Sequence, residues 1–302
     1  MRGRIWRALA APALVALLAC VPASPALGQL PWVTAGEEGF DARDSSLSVG
    51  GELELTIFGG AVQVPFATAD ATSFSGVLNA AIVIDSVVEV GTTLGFTWGE
   101  ARQSFTTDDD GAAPTNPWVY GAYVLDIERI ARLRFGAGLA FQLDPRGFQD
   151  SLAALYAAGT HGLENMWLWL GNRVSIVPFA TLEAMPFRYL YTAASFHLGV
   201  MVPSSSDSGV DTDVDLQFVI AGGVRAGPIL GAVRLRLVWF PTDSIGEEAQ
   251  VSLEPFVRAI FDLASLTGFA ELRMTINLDE PLGFAFDQYK VWGIHLAGGL
   301  SY

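Results

Sequence analysis

The chain has 302 residues, 51% of them hydrophobic, a positive mean hydropathy, and a net charge of −15 from 17 basic and 32 acidic residues. Such acidity excludes a nucleic-acid binder, which needs a basic surface. Beyond residue 28 no uninterrupted apolar run of about 18 residues is present to make a spanning helix, and the single cysteine, Cys20, leaves neither a disulfide framework nor a thiolate metal site.

At the N-terminus Arg2, Arg4 and Arg7 precede an apolar run from Leu9 to Leu18, and Ala26-Leu27-Gly28 places small residues before Gln29. This is the layout of a secretory signal peptide, with an apolar part too short to span a bilayer. Residues 1–28 are therefore expected to be cleaved during export through the inner membrane. Leu17-Leu18-Ala19-Cys20 resembles a lipobox, and cleavage there would instead leave a lipidated Cys20. Removing residues 1–28 leaves 14 basic against 32 acidic residues, a net charge of −18. Residues 29–46, which include Pro31 and Trp32, read as a polar periplasmic lead-in or a plug segment.

From residue 47 to 302 the apolar excess sits on alternating positions, the period of a strand and the pattern a barrel facing lipid requires. About twelve strands are predicted near 48–58, 74–84, 87–99, 117–127, 131–143, 167–182, 187–201, 213–226, 229–240, 249–262, 266–278 and 288–302. Short links, such as Asp85-Ser86 and Gly227-Pro228, alternate with long ones, such as 100–116 and 144–166. An even strand count with short periplasmic turns and long outer loops returns both ends to the periplasm. In the strand near 249–262, Val251, Leu253, Pro255, Val257, Ala259 and Phe261 oppose Ser252, Glu254, Phe256, Arg258, Ile260 and Asp262.

The final segment shows the same parity. Lys290, Trp292, Ile294, Leu296, Gly298, Leu300 and Tyr302 form a largely apolar stripe opposite small or polar residues, and the chain stops at an aromatic. This resembles the closing strand of bacterial outer-membrane β-barrel proteins, a likeness to the class and to no single family within it. The resemblance implies an all-β, antiparallel, up-and-down transmembrane barrel in the outer membrane, in contact with membrane lipid and lipopolysaccharide. A monomer is favoured, with no cofactor.

Trp98, Trp239, Trp292 and Tyr302 fall on the outward parity near strand ends and are expected to join an interfacial aromatic belt. Trp118, Trp167 and Trp169 lie near the same level on the other parity, which suits loop packing. Charge in the strands collects on the inward parity, because unpaired charge in hydrocarbon is expensive. The expected lumen-lining acids are Glu52, Glu54, Glu89, Asp126, Glu128, Glu183, Asp215, Glu254 and Glu271. The expected bases are Arg132, Arg134, Arg173, Arg225, Arg234, Arg236, Arg258, Arg273 and His295. Cross-strand pairing is expected between Asp126 or Glu128 and Arg132 or Arg134, for Arg258 with Glu271, and for Glu254 with Arg273. Arg132, Arg134, Arg234 and Arg236 suggest a basic ladder, although their separation around the wall argues against one continuous track.

The outer loops are acidic, notably Asp108 to Asp110, and read as a solvated rim that draws cations rather than a calcium site, since the spaced ligands of a calcium loop are missing. The longest loop holds a short helical pattern at Phe148 to Gly159 that could fold inward and narrow the lumen. His161, His197 and His295 read as structural; Ser195 and His197 share a face roughly 7 Å apart along one strand, too far for direct proton transfer. The leading expectation is a porin-like channel for small hydrophilic solutes or ions. A closed structural or surface-interaction barrel and an outer-membrane lipid-modifying enzyme are the alternatives.

Overall fold

A computed structural model describes residues 45–57, 62–64, 67–85, 87–103, 109–127, 130–142, 154, 158, 164–187, 189–204, 211–242, 249–263, 266–278, 285–286 and 292–301. The signal peptide and most of the lead-in, together with Glu128, His161 and Tyr302, lie outside these residues, as do the side chains of Glu52 and Glu54. The strands are β1 (Ser45–Ile57), β2 (Val62–Val64), β3 (Ala67–Ile84), β4 (Val88–Gln103), β5 (Asp109–Pro114), β6 (Trp118–Ile127), β7 (Ala131–Phe141) and β8 (Arg173–Phe187). After them come β9 (Leu190–Pro203), β10 (Asp213–Ala226), β11 (Ile229–Trp239), β12 (Ala249–Leu263), β13 (Leu266–Asn277), β14 (Ala285–Phe286) and β15 (Trp292–Ser301). A short helix, α1, spans Met166–Trp169.

Twelve of these strands are each hydrogen-bonded to two neighbours in antiparallel register, in the cyclic order β1, β3, β4, β6, β7, β8, β9, β10, β11, β12, β13, β15 and back to β1. The seam runs from Ser48↔Ser301 to Leu55↔Ile294. This is the expected all-β antiparallel barrel of the outer-membrane class. Above one end β2, β5 and β14 add short strands to the tall β3–β4 hairpin. Tight turns close that hairpin and the β10–β11 hairpin at the other end, with Asp85 (φ 52) and Gly227 (φ 60) in the left-handed region that two-residue hairpin turns use.

Burial alternates along much of the wall, most regularly on β8, β11 and β12. On β11 Val233, Leu235, Leu237 and Trp239 are exposed, whereas Leu230, Ala232, Arg236 and Val238 are buried. Leu272, Val257 and Leu296 are 54%, 53% and 55% exposed. Continuous apolar cover of this extent is a liability in water and a requirement in hydrocarbon. Trp239 shares that outer face, and Trp98 and Trp292 are half-buried on the same parity.

Several predicted boundaries move. β3 and β4 extend to Ala67 and Gln103, through residues too polar to read as membrane wall, because the ladder continues in water beyond the apolar band. Residues 167–172, expected in a strand, instead form most of α1 and the link from it to β8. Residues 183–186, expected as a link, continue β8 to Phe187, with a register shift between Ala184 and Phe187. Met185-Pro186 supplies the irregularity, since proline has no N–H to place in a regular ladder.

Placing a charge on the outer face tests which solvent it meets. Leu272→Arg, in the middle of β13, is expected to destabilise the barrel in lipid vesicles by about 2–4 kcal/mol in urea unfolding. A change within experimental error would remove the assignment of this face to lipid.

Candidate functional site

The described residues of the connection before β8 pack inside the barrel. Asn165 (φ 53) and Asn172 (φ 59), flanking α1, both adopt left-handed backbone, which asparagine tolerates because its short polar side chain bonds locally. Asn116, between β5 and β6, fixes the turn. Its Nδ2 donates to the Trp167 carbonyl at 2.8 Å and the Leu170 carbonyl at 2.6 Å, and its backbone N–H donates to the Leu168 carbonyl. A four-residue helix has no stability of its own, so this anchoring and side-chain burial hold it in place.

Met166, Trp167, Leu168 and Trp169 are all buried, in one cluster with Ala158 of the same connection and Ala140, Val177, Met201, Val238 and Phe240 from the outer ends of the wall. Val77 of β3, on the far side of the ring, packs against the same cluster, so this apolar plug reaches across the lumen. Beside it Trp118 stacks on Tyr120 at 4.6 Å between ring centroids, and Phe179 meets both edge-on at 5.8 Å. Trp118 lies over Gly138, and Trp167 with Asp215 over Gly199; at both glycines a Cβ would collide with these groups.

Below α1 the interior is charged. Arg236, fully buried, donates through Nη2 to Glu164 Oε2 at 2.5 Å and pairs through Nη1 with Glu254 Oε1 at 2.6 Å. Arg234 Nε donates to Glu254 Oε2 at 2.5 Å, and its Nη2 stands 3.7 Å from Glu164. Arg273 approaches Glu254 at 4.0 Å and Glu271 at 3.6 Å, and Arg258 binds Glu271 at 2.5 Å. His295 meets Arg273 through Nδ1 at 3.3 Å and Thr275 through Nε2 at 2.8 Å. A cavity alongside encloses about 30 Å³ open to the centre of a water molecule, lined among others by Glu183, Tyr191, Arg234, Phe256 and Arg258. That is room for roughly two waters, each needing about 10–15 Å³ by this measure.

Elsewhere on the inner face Arg134 pairs with Glu89, which also accepts from Tyr120 at 2.9 Å. Arg132 grips Asp126 with two bonds of 2.6 and 2.9 Å. Arg173 pairs with Asp213, and Tyr191 donates to Glu183 at 2.8 Å. Asp215 accepts from Gln217 at 2.6 Å, and Arg225, at the opposite end of β10, donates to the Gly227 carbonyl. Burial in this cluster pushes the Glu164 carboxyl up, but Arg236 and then Arg234 outweigh it and hold the group below its ordinary value of 4.5.

The pairing of Arg258 with Glu271 and of Arg132 with Asp126 follows the sequence reading. Glu254 and Arg273 also pair as expected, though at 4.0 Å. Arg134 bonds Glu89, a partner the sequence reading did not name, which lies on the neighbouring inner face across β6, while Glu128 lies outside the described residues. Glu254 is closest to Arg234 and Arg236, its direct neighbours on β11, and only then to Arg273. Each of the four arginines of the suggested ladder has a carboxylate partner. Glu164 and Asn116 were not legible as interior residues, since both lie in connections whose path the strand period does not encode; Gln217, on the inward parity of Asp215, was legible in position but not in its bond to Asn165. His197 stacks on Phe179 and neighbours Trp167, a packing role.

No family model matches the sequence, and no curated protein does. Among solved structures, the chain is similar in fold to the COG4313 outer membrane channel from Pseudomonas putida F1, with a TM-score of 0.58 and 10% identity over 85% of this chain and 95% of that one. Weaker likenesses include the NanC porin, with a TM-score of 0.46 and 9% identity over 85% of this chain and 98% of that one, and the KdgM porin, at 0.41 and 8% over the same shares.

Removing one member of the buried charge cluster leaves its partners uncompensated. Glu254→Gln is expected to destabilise the barrel by about 3–5 kcal/mol in urea unfolding, because Arg234 and Arg236 keep their charge without a wall counter-ion. A loss under about 1 kcal/mol would show that the cluster is hydrated rather than closed. The second expectation concerns pH. A carboxyl lowered in the folded state contributes stability that is fully present above its unfolded value and fades as pH falls through the folded one. Docking of the loop should thus hold from neutral pH down past 4.5 and weaken only on further acidification. Protease cleavage of the loop against pH reads this, and Glu164→Gln should lack the acid transition.

Proposed function

We propose that the chain is a narrow outer-membrane channel for passive passage of small hydrophilic solutes or ions, with the β7–β8 connection setting its bore. Supporting this is the sharp division of the closed wall, hydrocarbon outside and ionic groups inside, which exceeds what holding a barrel closed requires. Apolar packing fills a bore more cheaply, since buried ion pairs rarely stabilise more than hydrophobic replacements. The acidic mature chain and its signal-peptide layout fit export to the outer membrane of a bacterium.

A closed barrel without transport is the second reading, favoured by the packing of α1 between Val77 and the opposite wall. The two readings differ in whether that packing yields. Passage rather than catalysis is proposed for the interior because His197 packs among Trp167 and Phe179, and His295 is bound by Arg273 and Thr275.

The test is single-channel recording on the chain from Gln29, refolded in detergent and inserted in a planar bilayer. Discrete small steps are expected, and Asn116→Ala, which removes the two side-chain anchors of α1, should raise the unitary conductance or open probability. An inserted barrel that stays silent in both forms would exclude the channel and leave the closed barrel.

A further inference from the structure

The loop carboxylate Glu164 belongs to the connection, yet it sits among the guanidiniums of the wall. Around it the contiguous ion-pair cluster holds four arginines, Arg234, Arg236, Arg258 and Arg273, whose wall counter-ions are Glu254 and Glu271. Arg234 and Arg236 both pair with the wall carboxylate of Glu254, and Glu164 adds a carboxylate from the loop. The fit of Glu164 is incomplete. Its Oε2 binds Arg236 at 2.5 Å but stays 3.7 Å from Arg234 Nη2, a buried donor with no hydrogen-bond partner among the described residues. A carboxylate tethered to a backbone that Asn116 and Gln217 also hold cannot centre itself on both guanidiniums. An untethered one can, and two planar forks facing one carboxylate are the geometry such an anion binds best. Arg234 also lines the small cavity in the wall, so the pair is not closed in on every side.

We propose that Arg234 and Arg236 form a carboxylate-binding site that Glu164 occupies as a tethered stand-in, and that the solutes of this channel are small carboxylate-bearing anions that displace it. This rests on the channel reading for how the solute arrives. The acidic outer loops do not decide the matter, because their field is screened within about 8–10 Å in physiological salt, whereas the site is buried. Displacing Glu164 also loosens α1, so the solute opens its own path.

Wild-type and Glu164→Gln barrels, refolded in detergent and checked for folding by heat-modifiable migration, are titrated with sodium acetate and, at matched ionic strength, sodium chloride. Tryptophan emission reports the result, since buried Trp167 and Trp169 follow Glu164 closely in the chain. Acetate, and not chloride, is expected to shift the emission of both proteins. Half-saturation in Glu164→Gln should come at about tenfold lower acetate, because a resident competitor lowers apparent affinity by the fraction of time it holds the site. Equal half-saturation in the two proteins, or chloride matching acetate, overturns the proposal. Should Glu164→Gln not fold, the wild type alone decides, by an acetate-specific shift or none. Bilayer recordings on the same samples keep the two readings apart. Acetate binding without conductance keeps the carboxylate site and removes the channel, while conductance without an acetate response removes the site and keeps the channel.

Discussion

Closure at the β1–β15 seam is the constraint from which the rest of the molecule follows. In hydrocarbon no water is present to take up an unpaired amide or carbonyl, and each one left open costs several kcal/mol. The pairs from Ser48↔Ser301 to Leu55↔Ile294 leave neither strand with a free edge along that stretch. Once the ring closes, strand parity becomes a division between two solvents, and every second side chain faces inward. A charged residue on the inner parity then has to find its counter-ion within the bore. The ion pairs are thus consequences of closure rather than its cause.

Within the bore the charges sort by distance along the ladder. Glu254 faces Arg234 directly across β11–β12, and Arg258 faces Glu271 across β12–β13. These pairs lie at 2.5 Å, whereas the looser contacts of Arg273, at 3.6 and 4.0 Å, link one pair to the next. Direct cross-strand neighbours win because the pleat already brings their side chains within reach, so less rotamer freedom is lost in forming the bond. The loop enters this arrangement as an outsider. Its described apolar residues pack where the wall presents Ala140, Val177, Met201 and Val238, and Glu164 reaches the charged level.

The wall was legible in the sequence to within a few residues, because period two and the change of solvent across it write the same signal on every strand. Val251 to Phe261 and their opposites take the faces that parity assigns. What escaped the reading is what parity does not encode. Met166-Trp167-Leu168-Trp169 alternates large side chains in a way that suits a strand as well as a helical turn, and only the flanking Asn165 and Asn172, both in left-handed backbone, mark the difference. The partner of an inward arginine was equally hidden wherever it came from a loop or from a strand one further around. Parity gives Arg134 and Glu89 the same face, but their meeting depends on strand stagger around the ring, which the sequence does not state.

The two halves of the interior differ in how much holds them. The wall is fixed by a ladder that repeats around the ring, and moving any strand breaks many backbone bonds at once. Among the described residues, the contacts that hold the connection between β7 and β8 include three hydrogen bonds from Asn116, one from Asn165 to Gln217, one from Asn172 to Gln142, the Glu164 pairing and the packing of one short helical turn. Local opening follows the fewest and weakest contacts, so the connection yields long before the wall does. Under the channel reading, filling the bore with this segment, instead of with wall side chains, puts the obstruction among the described residues where fewer backbone bonds hold it. A barrel built only to stay closed gains nothing from that arrangement, because inward-facing leucines and phenylalanines on the strands would close it more stably. A hinged obstruction seated on a buried arginine pair is what a barrel needs if the obstruction has to be displaced.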